Sequence, residues 1–421
     1  MNILSEQDLK KAVGVLNKEG KSATLTLQSN IQLTEVHNIA FPLSIDGGFF
    51  NIEFKGGSFN YSGKVKGLYP CVTTKFGEII KTDAPLTEGS YIICQSNDKI
   101  QVDPHSSNGV QHPQEIHLIN YVKSKMVGVE SFVVDPMDGV LSVVSPIENI
   151  YIKNLSATFS GKQPDYSTAF KFDSVANVVM ENIHFKRSGP GAIWFNNAYN
   201  CRIDGCRIDG TAADDIVYGI VVGTVNNFFI NDCVITGCRH AFTTTAGTSK
   251  GAERWGTPLN VIMNNSIINV PTKNNGVTRI GLDTHPEGYG VQFKGCTINI
   301  GGGSCNYGAS CRSRATRFYD CTFNGAGLVK GIEVYSGECA VDSCRINDCW
   351  IGIATKKLRS IYSNNLSVTN SNFTNMSGPS IFLEYGNGHL VSGCTHKNVM
   401  YSPGSKFKSY KSPIIGTYSE I

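Results

Sequence analysis

Charge is scarce in this chain of 421 residues: Asp, Glu, Lys and Arg together make up 17%. The formal net charge is only +3 and no Lys/Arg block stands out, so neither nucleic acid nor a membrane surface is the expected partner. Long apolar runs are also missing, and the longest, near Ile216 to Val225, is too short to span a bilayer. The opening stretch MNILSEQDLKKAVGVLNKEG lacks the basic start, apolar core and small-residue cleavage site of a secretion signal, which predicts synthesis in the cytoplasm. None of the 14 cysteines forms a C-x-x-C pair, and their scatter over a large chain speaks against both zinc and a disulfide framework; no metal and no cofactor are expected. Helical periodicity is confined to the opening stretch, where Ser5 is placed to cap a short helix with Leu9, Val13 and Leu16 on one side and Gly20 at its end.

What the chain does have is 44 glycines, frequent asparagine and a 41% apolar share, the composition of a turn-rich β protein. From residue 150 onward one phrase recurs ten times, as in CRIDGCRI, FFINDCVI, VQFKGCTI, TRFYDCTF and CAVDSCRI. Its marker position falls at Leu155, Ile183, Cys206, Cys233, Ser266, Cys296, Cys321, Cys344, Ser371 and Cys394, with gaps of 23 to 33 residues. Each unit alternates apolar and polar residues and breaks at Gly, Asn or Asp, so each is a set of short strands joined by turns. Stacked units of this kind make a parallel β-helix. A leucine-rich repeat has similar length, but its leucine frame is absent and no asparagine ladder is expected. The recurrent cysteine becomes an inward stack of small hydrophobes. The predicted fold is thus all-β: a right-handed parallel β-helix with a short N-terminal capping helix and a β-rich insertion. The capping helix and first coils occupy 1–63, the insertion 64–145, the main β-helix 146–400, and a polar, loosely structured tail 401–421.

A second recurring element, a small residue followed by an apolar one, fixes the phase of the strands: Ala192-Ile193, Gly219-Ile220, Ala241-Phe242, Gly281-Leu282, Gly331-Ile332 and Gly352-Ile353. With the apolar member inward, alternating neighbours point outward. That outward set collects Trp194, Arg239, Thr243, Arg279, Asp283, His285, Glu333, Tyr335, Trp350 and Lys356. Asp283 and Glu333 are expected two coils apart, about 10 Å between backbones at the usual strand spacing. Side-chain reach then brings the two carboxyls into the separation of an inverting glycosidase, roughly 6.5 to 9.5 Å. His285 is a candidate acid/base tuned by Asp283, and Arg239 and Arg279 are candidate ligands for a substrate carboxylate or phosphate. Plainer roles stay open: surface acids, a solvated His285, an Arg239 paired structurally with Asp283, a hydrogen-bonded core His240, and Glu287 idle in the turn after Pro286. Exposed Trp194 and Trp350 point to a binding face. The loops TAGTSKGAERWGTP, with Glu253, Arg254 and Trp255, and DGTAADDIVYG, with Asp214 and Asp215, are expected on the same face.

With these coils, the capping helix before LSIDGG, and the segments GCRHAFTTTAG and GLDTHPEGYGVQFKGC, the sequence resembles the pectate-lyase-like right-handed β-helix superfamily. Within it, the likeness is to phage tailspike and appendage proteins that degrade surface glycans. The resemblance covers most of the chain and makes Arg239, His240, Asp283 and His285 the site residues to carry over. It implies a homotrimer in the phage tail, docked to other tail proteins, made in the host cytoplasm and acting outside the cell. The activity implied is degradation of capsule, O-antigen or teichoic acid. Asp283, His285 and Glu333, with Arg239 and His240, are then catalytic candidates; Arg279, Trp194, Trp255, Tyr335, Glu253, Asp215 and Trp350 are substrate-binding candidates. Hydrolysis leads; elimination by a lyase and binding without cleavage are the alternatives. A relative acting on plant glycans is disfavoured by the missing secretion signal.

Overall fold

A computed structural model describes the chain except for residues 75, 99–100, 103–109, 135–136, 161–167, 189–190, 211–216, 246–247, 251–252, 273–276, 305, 359–360, 397, 403–405, 411–416 and 421. For residues 101–102, 110–111, 187–188, 248–250, 253–254, 358, 361–362, 406–410 and 417–420 it describes the backbone alone. The described chain forms two compact units whose segments alternate along the sequence. The first comprises Met1–Arg207, Ile220–Phe229 and Thr244–Val261; the second comprises Ile208–Gly219, Ile230–Thr243 and Ile262–Ile421.

In the first unit the helix runs over Glu6–Glu19, with the Ser5 hydroxyl accepting from the Asp8 amide and Gly20 in the left-handed region closing it. Leu9, Ala12, Val13 and Leu16 are its buried face. Beyond it, strands stack in parallel with Ile45 under Ile152, Ile152 under Met180 and Met180 under Ile203. Equivalent aromatics stack inside: Tyr61 on Phe172, Phe172 on Phe195, and Phe195 edge-on to Phe228, at 4.9, 4.4 and 4.9 Å between centroids. The β-rich insertion is a closed antiparallel barrel of six strands, from Lys64–Thr73 to Asp138–Ser145. Cys71, Ile80, Ile92, Cys94, Ile119, Val127 and Leu141 fill it.

The second unit is a parallel ladder in which Ile235, Ile268, Ile298, Phe323, Ile346 and Phe373 lie directly over one another. Cys233, Ser266, Cys296, Cys321, Cys344, Ser371 and Cys394 are buried at the matching turn. The thirteen described cysteines are all free and buried. At the repeat position the thiols fill a narrow turn and bond to carbonyls, as Cys321 does to Phe293 O at 3.3 Å. The small residue of the small-apolar pair is explained by close approach: a β-carbon on Gly281 would sit 2.7 Å from Gly308 O, and one on Gly308 would sit 2.6 Å from Gly331 O.

Two expectations are corrected. An asparagine ladder is present: Asn269 donates to Thr236, Asn299 to Asn269, Asn324 to Asn299 and Asn347 to Asn324, at 2.8 to 3.0 Å. The ladder arises because each coil places its amide at the same strand position, so each amide donates to the coil before it and accepts from the coil after it. Two described segments of the tail are not loose, since Lys406–Tyr410 and Thr417–Glu420 add parallel strands to Asn387–Ser392 and Asn398–Tyr401. Adding a strand satisfies the edge that the last coil would leave open.

Asn299→Ala removes a rung that both accepts from Asn324 and donates to Asn269. The expected cost is about 1–3 kcal/mol, because two part-buried groups lose their partners. Urea denaturation checks it: the midpoint falls with the slope unchanged, and an unmoved midpoint refutes a stabilising ladder.

Candidate functional site

The second unit gathers the charged residues. Parallel register places Thr243, Asp283, Ser310, Glu333 and Ala354 in one column, a residue from each successive coil. Two residues further along each strand lies a second column on the same face: His285, Arg312, Tyr335 and Lys356. Ladder bonds continue to this level, from Arg312 N to Thr284 O, Tyr335 N to Cys311 O and Lys356 N to Val334 O, at 3.0, 2.8 and 2.8 Å. With coils about 4.8 Å apart, the second column spans roughly 14 Å.

The first column is sealed. Asp283 has 0% exposure, and Arg312 Nη2 reaches both its oxygens at 2.7 and 2.8 Å. His240 Nδ1 lies 2.9 Å and His285 Nε2 3.4 Å from Asp283 Oδ2. Burial alone raises the Asp283 pKa, but the Arg312 charge and the two histidines outweigh it and hold this carboxyl well below the usual range. His240 stacks on Tyr218, with centroids 5.2 Å apart. Burial lowers its pKa; Asp283 opposes that shift, and Arg239 and Arg312 reinforce it.

Glu333 is equally enclosed, at 2% exposure. Lys330 Nζ donates to its Oε1 and Tyr335 Oη to its Oε2, both at 2.6 Å. Lys330 also lies over the Tyr307 ring, 4.9 Å from its centroid. Burial and the neighbouring Glu333 push the Tyr335 phenol upward, so it keeps its proton. The groups that reach the surface are therefore the tips of the second column and its flanks. His285 is 18% exposed, Lys330 15%, and Tyr335 and Arg239 are half-buried.

Several expected positions change on this geometry. Asp283, Glu333 and Arg279 are not surface residues; each is buried, Arg279 with its Nη1 bonded to Val277 O at 3.1 Å. Arg312 and His240 reach Asp283 from neighbouring coils, and Lys330 and Tyr335 reach Glu333 from its own coil, which strand phase alone does not reveal. His240 is buried as expected of a core histidine, yet its ring joins the Asp283 cluster. The bidentate partner of Asp283 is Arg312, which the sequence reading passed over. The signal was available: Gly308-Ala309 obeys the small-apolar rule, and phasing it puts Ser310 and Arg312 on the face of Asp283 and His285. Glu287 lies in the turn after Pro286, buried rather than at a rim. Trp350 is 43% exposed on the second unit. Trp194 and Trp255 belong to the first unit, where Trp194 lies under Lys171 and Trp255 stacks on His112. Asp214, Asp215 and the side chains of Glu253 and Arg254 lie outside the described residues. Among the described residues no group of three or more His, Cys, Asp or Glu converges as metal ligands.

Comparison with known proteins agrees on the fold. The family described as right handed beta helix region matches residues 172–341. The tailspike protein gp49 of Pseudomonas phage LKA1 superposes with a TM-score of 0.65 at 15% identity, covering 98% of this chain and 71% of that one. The tailspike gp61 of Pseudomonas phage phi297 gives 0.65 at 11% identity, covering 97% and 70%. The gp54 tailspike of Acinetobacter baumannii bacteriophage AP22, solved with a capsular saccharide, gives 0.60 at 14%, covering 97% and 73%. No curated protein matches the chain by sequence. The fold is the right-handed β-helix, with the architecture of phage tailspikes.

Removing Arg312 leaves a buried, uncompensated carboxylate. Arg312→Leu is expected to cost about 3–5 kcal/mol, with much of it recovered in Arg312→Leu/Asp283→Asn. Denaturation of the unaltered protein, the two single variants Arg312→Leu and Asp283→Asn, and the double variant tests the coupling, and additive losses refute it. The sign with pH follows from the two depressed groups. His240 destabilises the fold as pH drops below the ordinary histidine value of about 6.5, because the unfolded chain then binds a proton the fold resists. The contribution of Asp283 is present above the ordinary aspartate value, about 3.9, and is lost as pH falls through its lower folded value.

Proposed function

We propose that the protein is a phage tailspike-type depolymerase that cleaves an acidic bacterial surface polysaccharide by β-elimination, with His285 as base and Tyr335 as acid. One observation carries the choice of chemistry. Hydrolysis of the inverting type needs two carboxyls open to substrate and water, whereas both candidate carboxylates are buried and saturated, Asp283 by Arg312 and Glu333 by Lys330 and Tyr335. What faces outward is imidazole, phenol and cationic side chains. Elimination beside a uronate carboxylate uses these groups.

In this reading Asp283 is a positioning residue. It accepts from His285 Nε2, which leaves Nδ1 to take the proton on the carbon next to the substrate carboxylate. Arg312, between His285 and Tyr335 in the column, and Lys330 supply positive field for the carboxylate as charge builds there. The carbon–carbon double bond forms as the glycosidic carbon–oxygen bond breaks, and Tyr335, held protonated, gives its proton to the leaving oxygen. The column favours a polymer laid along the coil axis, with Lys356 and Trp350 as flanking contacts. The likeness to a tailspike solved with a capsular saccharide supports a glycan as substrate. A homotrimer carried on the virion tail belongs to the same proposal.

Spotted on lawns of encapsulated bacteria, the protein is expected to give a halo, and the released oligosaccharides to carry the ultraviolet absorbance of a conjugated unsaturated uronate. Reducing ends without that absorbance refute elimination. His285→Ala should lower the rate about 10²–10⁴-fold, and Tyr335→Phe should act in the same direction. Asp283→Asn should lower kcat and shift the pH profile while leaving KM near its starting value. Light scattering should give three times the 45.7 kDa chain mass; a monomer refutes the trimer alone.

A further inference from the structure

The barrel of the first unit holds another set of reactive side chains. Glu115 and His117 stand two apart on strand Gln114–Lys123, share a face, and are both fully buried. His117 Nε2 lies 3.0 Å from Glu115 Oε2, and its Nδ1 lies 3.1 Å from the hydroxyl of Ser131 on the adjacent strand Met126–Val133. The Val134 amide donates to both Glu115 oxygens, at 3.2 and 3.1 Å. Asn226 Nδ2 sits 2.7 Å from Ser131 Oγ and 3.0 Å from Ile116 O. Ser131, unlike the pair behind it, is only half-buried. Carboxylate, imidazole and hydroxyl thus follow one another at hydrogen-bond distance, ending on the one member open to solvent, with an amide donor beside it.

A buried acid–histidine pair stabilises a fold poorly, because desolvation offsets what the pairing returns. Its presence inside a barrel otherwise filled with Ile, Val, Leu and Cys therefore asks for a chemical reason. With the Glu115 carboxylate holding the Nε2 proton, the Nδ1 lone pair faces the serine hydroxyl, which is the arrangement that makes a hydroxyl nucleophilic.

We propose that Ser131 is the nucleophile and His117 the acid/base of a second activity, hydrolysis of small acyl esters, with Glu115 as the positioning residue and Asn226, which donates to Ser131 Oγ, orienting the hydroxyl. Ser131 Oγ bonds to the acyl carbon while its proton passes to His117 Nδ1. The carbonyl oxygen takes the negative charge. Collapse of that intermediate breaks the ester carbon–oxygen bond, and His117 returns the proton to the departing alcohol. Water then repeats the sequence on the acyl-serine and releases the carboxylic acid. That the alcohol is a sugar hydroxyl rests on the glycan reading above; the ester chemistry does not.

The test uses the full chain with p-nitrophenyl acetate and an alkyl fluorophosphonate. The unaltered protein should turn over the ester and acquire one phosphonyl adduct, located on Ser131 by peptide mass spectrometry. Ser131→Ala should lose the adduct and at least about 10³-fold in rate. Glu115→Gln should lower the rate and alter its pH profile, and His285→Ala should leave it unchanged, so failure of the glycan reading is seen separately. Absence of both turnover and adduct in the folded protein, or an unchanged rate in Ser131→Ala, overturns the proposal.

Discussion

Parallel register is the constraint on which everything else depends. Once main-chain bonds fix each strand over its predecessor, every side chain inherits neighbours about 4.8 Å above and below it. Residues of like position become columns: stacked phenyl rings, thiols at one turn, amides in a ladder, and the sequence Thr243, Asp283, Ser310, Glu333, Ala354. A slip of one residue would turn the Asp283 column into the core and the core into solvent. The glycine column guards against slips of another kind, since there is no room for a β-carbon between Gly281 and Gly308 O.

Given the columns, electrostatics decides what the site can do. A carboxylate with 0% exposure survives only with partners, and Arg312 Nη2 reaches both of its oxygens while His240 and His285 lie against one of them. That pairing removes Asp283 from direct contact with a substrate and turns it into a support for His240 and His285. Glu333 is converted in the same way by Lys330 and Tyr335. Two acids that look like a reacting pair at the level of strand phase are thus a foundation, and the next residues along the strands become the working surface.

The repeat, the cysteine stack, the capping helix and the alignment of Asp283 with His285 were legible because each depends on local alternation and fixed spacing. Burial of Asp283 and Glu333 was not, because it goes with side-chain reach: Arg312 and His240 meet Asp283 from neighbouring coils, and Lys330 and Tyr335 turn onto Glu333 from the same coil. Arg312 itself stands in a coil whose Gly308-Ala309 pair is followed by SCRSR rather than a familiar phrase, so its phase was missed. The asparagine ladder was missed for a different reason: each amide looks like an ordinary polar strand residue until the coils are stacked. Ser131, His117 and Glu115 lie in the barrel segment, where repeat phasing gave no register at all.

The account stands or falls on the role of the outer column, and cleavage in water enriched in heavy oxygen tests that most directly. Elimination breaks the chain without adding water, so the new ends should carry no label, and each pair of fragments should together weigh what the parent did. Incorporation of one heavy oxygen per bond cleaved would mean that water attacks, which the buried and saturated state of Asp283 and Glu333 contradicts.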